Sequence, residues 1–264
     1  MKGQSLMISK IDLCYGEHPR HKYDVWQPDV LSDGFPSIIH FHGGGLSSCE
    51  KQGAKGHEYI TELVELGYTF FDCEYRLVPE VTPDEILVDA ANAVKKAIDD
   101  IQKMGKKHGK IFVAGDSAGG WITTMLAFNK DLSRSVGVDP NMIGGYIFED
   151  PMPITHIEKA LDAEAAMPIT KLLDNVTCPL HYVKENENYP PMFFSTYGKS
   201  IPYFAEYTHL AVATLLRYGY GDRVTLFFHP DRPHGGNFEA EKENGLIPYV
   251  LHTDAFCKKV IEKG

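Results

Sequence analysis

The chain has 264 residues, 43% of them hydrophobic and 23% charged, and a formal net charge of −10 at pH 7. That length suffices to bury a large core in one α/β domain, and an acidic chain with no basic stripe argues against a nucleic-acid partner. The five cysteines, at 14, 49, 73, 178 and 257, are dispersed and show no C-x-x-C spacing, so neither a zinc site nor a disulfide framework is indicated.

In chain order, residues 23–26 read as an early strand, and residues 37–41 as a second that ends in His42-Gly43-Gly44-Gly45. Residues 57–66 carry apolar side chains at helical spacing, and Gly67 stops that helix. A strand follows at 68–75, then a long amphipathic helix at 84–104 closed by Gly105; Ile86, Leu87, Ala90, Ala93, Val94, Ala97, Ile98 and Ile101 form its apolar face. Residues 110–114 are a short β-branched strand, 120–128 a buried helix and 142–148 the sixth strand. Residues 191–197 give a seventh strand, 204–218 a helix, 223–228 the last strand and 249–261 the last helix. This alternation predicts one α/β domain over residues 1–264: a mostly parallel sheet with helices on both faces. Residues 152–190 break the rhythm with Pro153, Pro168, Pro179 and Pro190 and a short helical piece at 157–166. Within them Met152, Met167, Ile169, Leu172, Leu173 and Tyr189 suit an apolar pocket or simple packing onto the body. Trp121 reads as core.

Gly115-Asp116-Ser117-Ala118-Gly119 is a G-x-S-x-G pattern between a strand and a helix. That context suits a nucleophile elbow, in which a strained turn lifts a serine hydroxyl and aims a helix N-terminus at developing negative charge. The glycines at 43–45 leave backbone N–H groups unshielded, and Gly43 and Gly44, with Ala118, are candidates for an oxyanion hole. His42 more readily braces this loop than reacts. A phosphate loop would also need glycines, but no G-x-x-x-x-G-K-[ST] pattern is present. His234 follows the last strand signal, precedes Gly235 and Gly236, and comes after the serine, which makes it the candidate general base; His229 is its local rival.

These motifs, H-G-G-G and G-D-S-A-G-G, resemble those of the α/β-hydrolase superfamily, in its hormone-sensitive-lipase-like carboxylesterase branch. Residues 74–80, Glu-Tyr-Arg-Leu-Val-Pro-Glu, resemble the branch's Y-R-L-x-P-E segment, and Asp89 falls in the helix that follows. The resemblance implies a Ser–His–acid triad, ester hydrolysis through an acyl-enzyme and no cofactor or metal. It also implies that an insertion such as 152–190 forms a small cap.

The chain departs from the branch at the acid. The Asp-Pro expected after the seventh strand is Ile201-Pro202 here. Either the acid has moved or the triad is broken and the pocket only binds a ligand. Relocation points to Asp150, which follows the sixth strand in an Asp-Pro pair, as in pancreatic-type lipases. Glu206 and Glu149 are the alternatives, although strand alternation turns Glu149 to the other face. The expectation is a serine esterase acting on small or short-chain carboxylic esters, with a sugar acetyl or feruloyl ester esterase and an amidase or formamidase as rivals. No stretch spans a membrane and residues 1–7 lack a secretory leader, so a cytoplasmic location is expected. The partner is a small-molecule ester; homo-oligomer formation through an edge strand or the last helix is compatible with the sequence.

Overall fold

Strands buried on both faces need apolar side chains at successive positions, and the middle strands of this chain have them. The computed structural model describes residues 7–51, 58–154 and 173–263. Among these, the strands are β1 (Met7–Cys14), β2 (Lys22–Pro28), β3 (Phe35–Phe41), β4 (Thr69–Cys73), β5 (His108–Asp116), β6 (Ile143–Glu149), β7 (Met192–Lys199) and β8 (Val224–Pro233). They form one eight-stranded sheet in the order β1-β2-β4-β3-β5-β6-β7-β8. The β1–β2 and β2–β4 pairs are antiparallel, and every pairing from β4 to β8 is parallel.

The helices are α1 (Glu58–Glu65), α2 (Pro83–Ile101), α3 (Ala118–Phe128), α4 (Lys130–Ser135), α5 (Phe204–Arg217), α6 (Gly236–Glu239) and α7 (Pro248–Lys263). Successive strand residues point to opposite faces. Ile39, Phe71, Val113, Phe148 and Phe194 therefore pack with α2, α3 and α5. Ile38, Phe70, Phe112, Ile147 and Phe193 pack with α1 and α7 on the other face. This is the mostly parallel sheet with helices on both faces expected from the alternation of elements, and the α/β-hydrolase fold that the motif resemblance implies.

Local signals explain most boundaries. Thr82 caps α2 through a reciprocal capping box with Glu85, and Pro83 occupies the first turn. The same helix stops at Ile101, three residues before the expected end. Lys103 and Met104 N–H groups bond three residues back, tightening the chain into a turn before Gly105 at φ +72°. Strand β8 runs on to Pro233, beyond the expected 228. Three of these elements were not foreseen, α4, α6 and β1. Nearly every residue of β1 is exposed, so it has no apolar alternation to read. It is held instead by ladder bonds to β2 and by Asp12 N–H donating to Asp24 Oδ1 at 2.8 Å, next to an irregularity between Lys10 and Leu13.

The expected helix at 157–166 and Met167, Ile169 and Leu172 lie outside the described residues. The described remainder of that segment packs onto the body. Trp121, fully buried, donates Nε1–H to Thr177 O at 2.9 Å. Cys178, Leu180, Val183 and Tyr189 join the α2–α3 core, where the Tyr189 ring meets Phe128 edge-on at 5.7 Å. For Tyr189 the packing alternative therefore holds, and Met152 is likewise buried.

Candidate active site

Strand β5 lies in the middle of the sheet, and its C-terminal end turns straight into α3. Ser117 is the residue of that turn, at φ 52° and ψ −113°, a conformation that costs a side-chain-bearing residue energy. The turn is tight because Gly119 lets the chain press against β3: a Cβ on Gly119 would lie 2.0 Å from Phe41 O. Ser117 N–H donates to Glu149 O at 2.9 Å, which ties the elbow to the end of β6. Ala118 begins α3, so its N–H belongs to the unsatisfied first turn of a helix.

The glycine loop lies directly over this turn. A Cβ on Gly43 would sit 2.5 Å from Asp116 Oδ2 and 3.2 Å from Ser117 Cβ. Gly44 adopts φ +105°, and its carbonyl accepts from the Ser47 and Ser48 N–H groups. Among the described residues, the N–H groups of Gly43, Gly44 and Ala118 have no acceptor. His42 is buried and stacks on Tyr75 with ring centroids 4.3 Å apart; its Nδ1 donates to Gly43 O at 2.7 Å and its Nε2 lies 3.3 Å from Glu74 Oε1. Burial would raise the Glu74 carboxyl, but His42 and Arg20 outweigh it and hold it below the ordinary value. These contacts make His42 a brace of the loop. Arg76 completes the segment by a two-point pair with buried Asp89, at 2.8 and 2.7 Å, fixing residues 74–80 to α2.

His234 lies just past β8, ahead of Gly235 at φ +72°. Its Nδ1 is 2.6 Å from Asp150 Oδ2, and its ring meets Phe204 edge-on at 5.1 Å. Asp150 follows β6 directly, is 1% exposed and takes φ 45°. Its other oxygen accepts from Thr196 Oγ1 at 2.8 Å, and Oδ2 also accepts from Ser200 Oγ. Ser200 Oγ is 3.2 Å from His234 Nδ1 as well. Ser117 Oγ and His234 are not hydrogen-bonded to each other here; bonds of this kind often tighten only once substrate binds.

The other acid candidates sit elsewhere. Glu206 is an exposed residue in the first turn of α5. Glu149 turns to the opposite face from Asp150, as strand alternation requires, and bonds Ser195 Oγ and Tyr197 Oη. His229 lies within β8, and its Nδ1 accepts from Asp231 N–H at 3.2 Å. Ile201 only caps the turn into α5, its carbonyl accepting from Phe204 N–H. Sequence reasoning passed over Ser200. Its only signal is a hydroxyl one residue before the expected Asp-Pro position.

Two buried ionisable groups lie beneath the elbow. His40, at the end of β3, is 3.3 Å from Asp116 Oδ1 and 3.6 Å from Asp72 Oδ1. Burial would lower its pKa, but the two carboxylates outweigh that and lift it to about 9. These are ion-pair contacts and not aligned hydrogen bonds. Glu149 is pushed up to about 8, chiefly by burial and further by Asp150, against the bond from Ser195.

An eight-stranded sheet with an elbow serine, a glycine loop and a histidine–aspartate pair at its C-terminal edge defines an α/β-hydrolase. The BD-FAE family model matches residues 23–163, more than half of the chain, and the chain belongs to that family. The resemblance to the carboxylesterase branch of the α/β-hydrolases holds. Among curated proteins, carboxylesterase NlhH of Mycobacterium tuberculosis is 31% identical over 118 residues, covering 44% of this chain and 35% of NlhH. The probable carboxylic ester hydrolase LipM of the same organism is 26% identical over 166 residues, covering 62% of this chain and 36% of LipM. The chain thus spans about a third of the length of the curated relatives it matches. Esterase B from Lactobacillus Rhamnosis superimposes with a TM-score of 0.75 at 16% identity, over 97% of this chain and 87% of that one. A carbohydrate esterase from gut microbiota superimposes with a TM-score of 0.72 at 14% identity, over 98% of both chains. At these identities the structural likeness speaks for the fold. No helix among the described residues is long and apolar enough to cross a membrane.

Proposed function

We propose that the protein is a serine ester hydrolase acting on small or short-chain carboxylic esters. The observation that carries this reading is the 2.6 Å contact of His234 Nδ1 with buried Asp150, beside the strained elbow that presents Ser117. His234 removes the proton from Ser117 Oγ as it attacks the ester carbonyl. Asp150 fixes the histidine tautomer and stabilises the imidazolium that forms. The N–H groups of Gly43, Gly44 and Ala118 receive the oxyanion. The alcohol leaves with a proton from His234, and a water activated by the same histidine releases the acid. No cofactor enters this scheme.

Similarity to NlhH and LipM, both named as carboxylic ester hydrolases, supports an ester over an amide. Residues 152–190 act in this reading as a small cap. All five cysteines are free, which supports a reducing cytoplasm.

The test is hydrolysis of p-nitrophenyl acetate, butyrate and octanoate by the parent protein and by Ser117→Ala. Activity that falls with acyl length and disappears in the variant supports the proposal. Equal background rates in both proteins refute it and turn attention to ligand binding. A higher rate on matched amides than on esters moves the reading to an amidase.

A further inference from the structure

We infer that Glu149 is a positioning residue that holds Ser117 and Asp150 in place as a neutral carboxylic acid, and that its ionisation disarms the site at alkaline pH. This rests on the reading of Ser117, His234 and Asp150 as a triad.

The geometry places Glu149 at the junction of every element that carries the site. Its carbonyl accepts from Ser117 N–H at 2.9 Å, and the next residue, Asp150, donates its N–H to Ser195 O at 2.8 Å. Its carboxyl bonds Ser195 Oγ and Tyr197 Oη on β7, and Asn237 Nδ2 lies 3.5 Å away. Asn237 is fully buried in α6, three residues after His234. One side chain therefore clamps the ends of β6 and β7 to the helix that follows the histidine, while its own main chain holds the nucleophile.

Ser195 Oγ, Tyr197 Oη and Asn237 Nδ2 all donate to this carboxyl; a hydroxyl also accepts, so a neutral carboxyl has two partners to which its one proton can turn. The titratable groups around it are Asp150 on its own segment, Asp116 at the end of β5, Tyr197 on β7 and Tyr249 on α7. The nearest cation in this network, Arg232 on β8, stops at Asn237 Oδ1 and Glu243. An ionised Glu149 is thus a buried charge with no cationic partner among the described residues, directly beside Asp150. Burial and Asp150 together hold the carboxyl neutral up to about pH 8. Loss of that proton sets like charges against each other where Ser117 and Asp150 are both anchored. Glu149 touches neither His234 nor the reacting atoms, so it acts through its neighbours.

A Ser–His–Asp triad alone gives a rate that rises as the histidine loses its proton and then stays level. The experiment measures kcat for p-nitrophenyl acetate from pH 5.5 to 10 in the parent, Glu149→Gln and Ser195→Ala. The parent is expected to lose activity with a midpoint near 8. Glu149→Gln keeps the size and polarity of the side chain without a titrating proton, so its alkaline limb disappears. Ser195→Ala removes a donor to the carboxylate form, so its limb moves upward. A merely structural role lowers activity at every pH and leaves the midpoint in place, which overturns the inference. If Glu149→Gln does not fold, an unmoved midpoint in Ser195→Ala does the same. Ionisation is also read without turnover by 13C NMR of protein labelled at glutamate carboxyls. One resonance titrates near 8; its absence overturns the inference even if the proposed esterase activity is never found.

Discussion

Asp150, just past β6, and Ser200, just past β7, are joined by a hydrogen bond from the serine hydroxyl to carboxylate oxygen Oδ2. The end of β7 is where the related hydrolases are expected to place their acid, and here it supplies a hydroxyl in its stead. The carboxylate reaches His234 from the neighbouring strand, and Ser200 fills the space between them, within 3.2 Å of His234 Nδ1. Both strand ends thus contact His234, the end of β6 through a carboxylate and the end of β7 through a hydroxyl.

The charge should therefore matter at β6. Asp150→Asn keeps the shape of the side chain but removes the charge and changes the hydrogen-bonding tautomer available to His234. A loss in kcat of about 10³–10⁴ is expected. Glu206→Gln, at an exposed site on α5, should leave kcat near the parent value. Near-parent activity of Asp150→Asn, measured on p-nitrophenyl acetate, removes Asp150 from the mechanism.

Ser200→Ala tests the hydroxyl contact. It deletes a hydrogen bond to a charged carboxylate while leaving both Asp150 and His234 in place. Hydrogen bonds to charged groups contribute about 1.5–3 kcal/mol, so kcat is expected to fall roughly tenfold or more with KM little changed. Steady-state kinetics settle this: an effect confined to KM places Ser200 in substrate binding instead.

How much of this was readable in advance follows from what each residue must satisfy locally. Ser117 was legible because the elbow needs small residues on both sides and a strand–helix junction, and all three requirements appear in consecutive residues. The buried parallel strands were legible for the same reason, since both faces of β3 to β6 must be apolar. Strand β1 was not, because its residues face solvent and its pairing rests on backbone bonds that any side chain permits. Ser200 was hidden by its ordinariness: a serine after a strand is common, and only the fold brings it to Asp150. Glu149 could be assigned to the face opposite Asp150 by alternation, but its partners Ser195, Tyr197 and Asn237 come from two other elements up to 88 residues away.

The elbow also has a steric requirement. A Cβ on Gly119 would stand 2.0 Å from Phe41 O, a backbone atom that moves only if β3 moves. Gly119→Ala should therefore destabilise the fold by about 3 kcal/mol or more through overpacking and backbone displacement. Urea unfolding followed by circular dichroism measures this, and a midpoint equal to that of the parent contradicts the close approach of the elbow to β3.

Stability should also decline as pH rises, for reasons set beneath the elbow. His40 is lifted from 6.5 to about 9 in the fold by Asp116 and Asp72. A base with a raised folded pKa contributes stability that is complete below its unfolded value and is lost as pH passes its folded value, here between about 6.5 and 9. Glu149 is lifted from 4.5 to about 8, so between those values the folded state holds a proton that the unfolded chain has released. By linkage that too lowers stability as pH rises through the window. The two windows overlap between 6.5 and 8, where the fall should be steepest. Carboxylates held below their usual range, such as Glu74, act in the opposite sense and withdraw stability only in acid. Melting temperatures recorded from pH 5 to 9.5 should therefore peak on the acid side of neutrality and fall steadily above it. His40→Asn removes the imidazolium and should flatten the upper part of that slope, at a cost on the order of a few kcal/mol at neutral pH from withdrawing the cation that faces Asp72 and Asp116. A melting temperature that stays level or climbs between pH 6.5 and 9 in the parent means that His40 does not hold its proton in the fold.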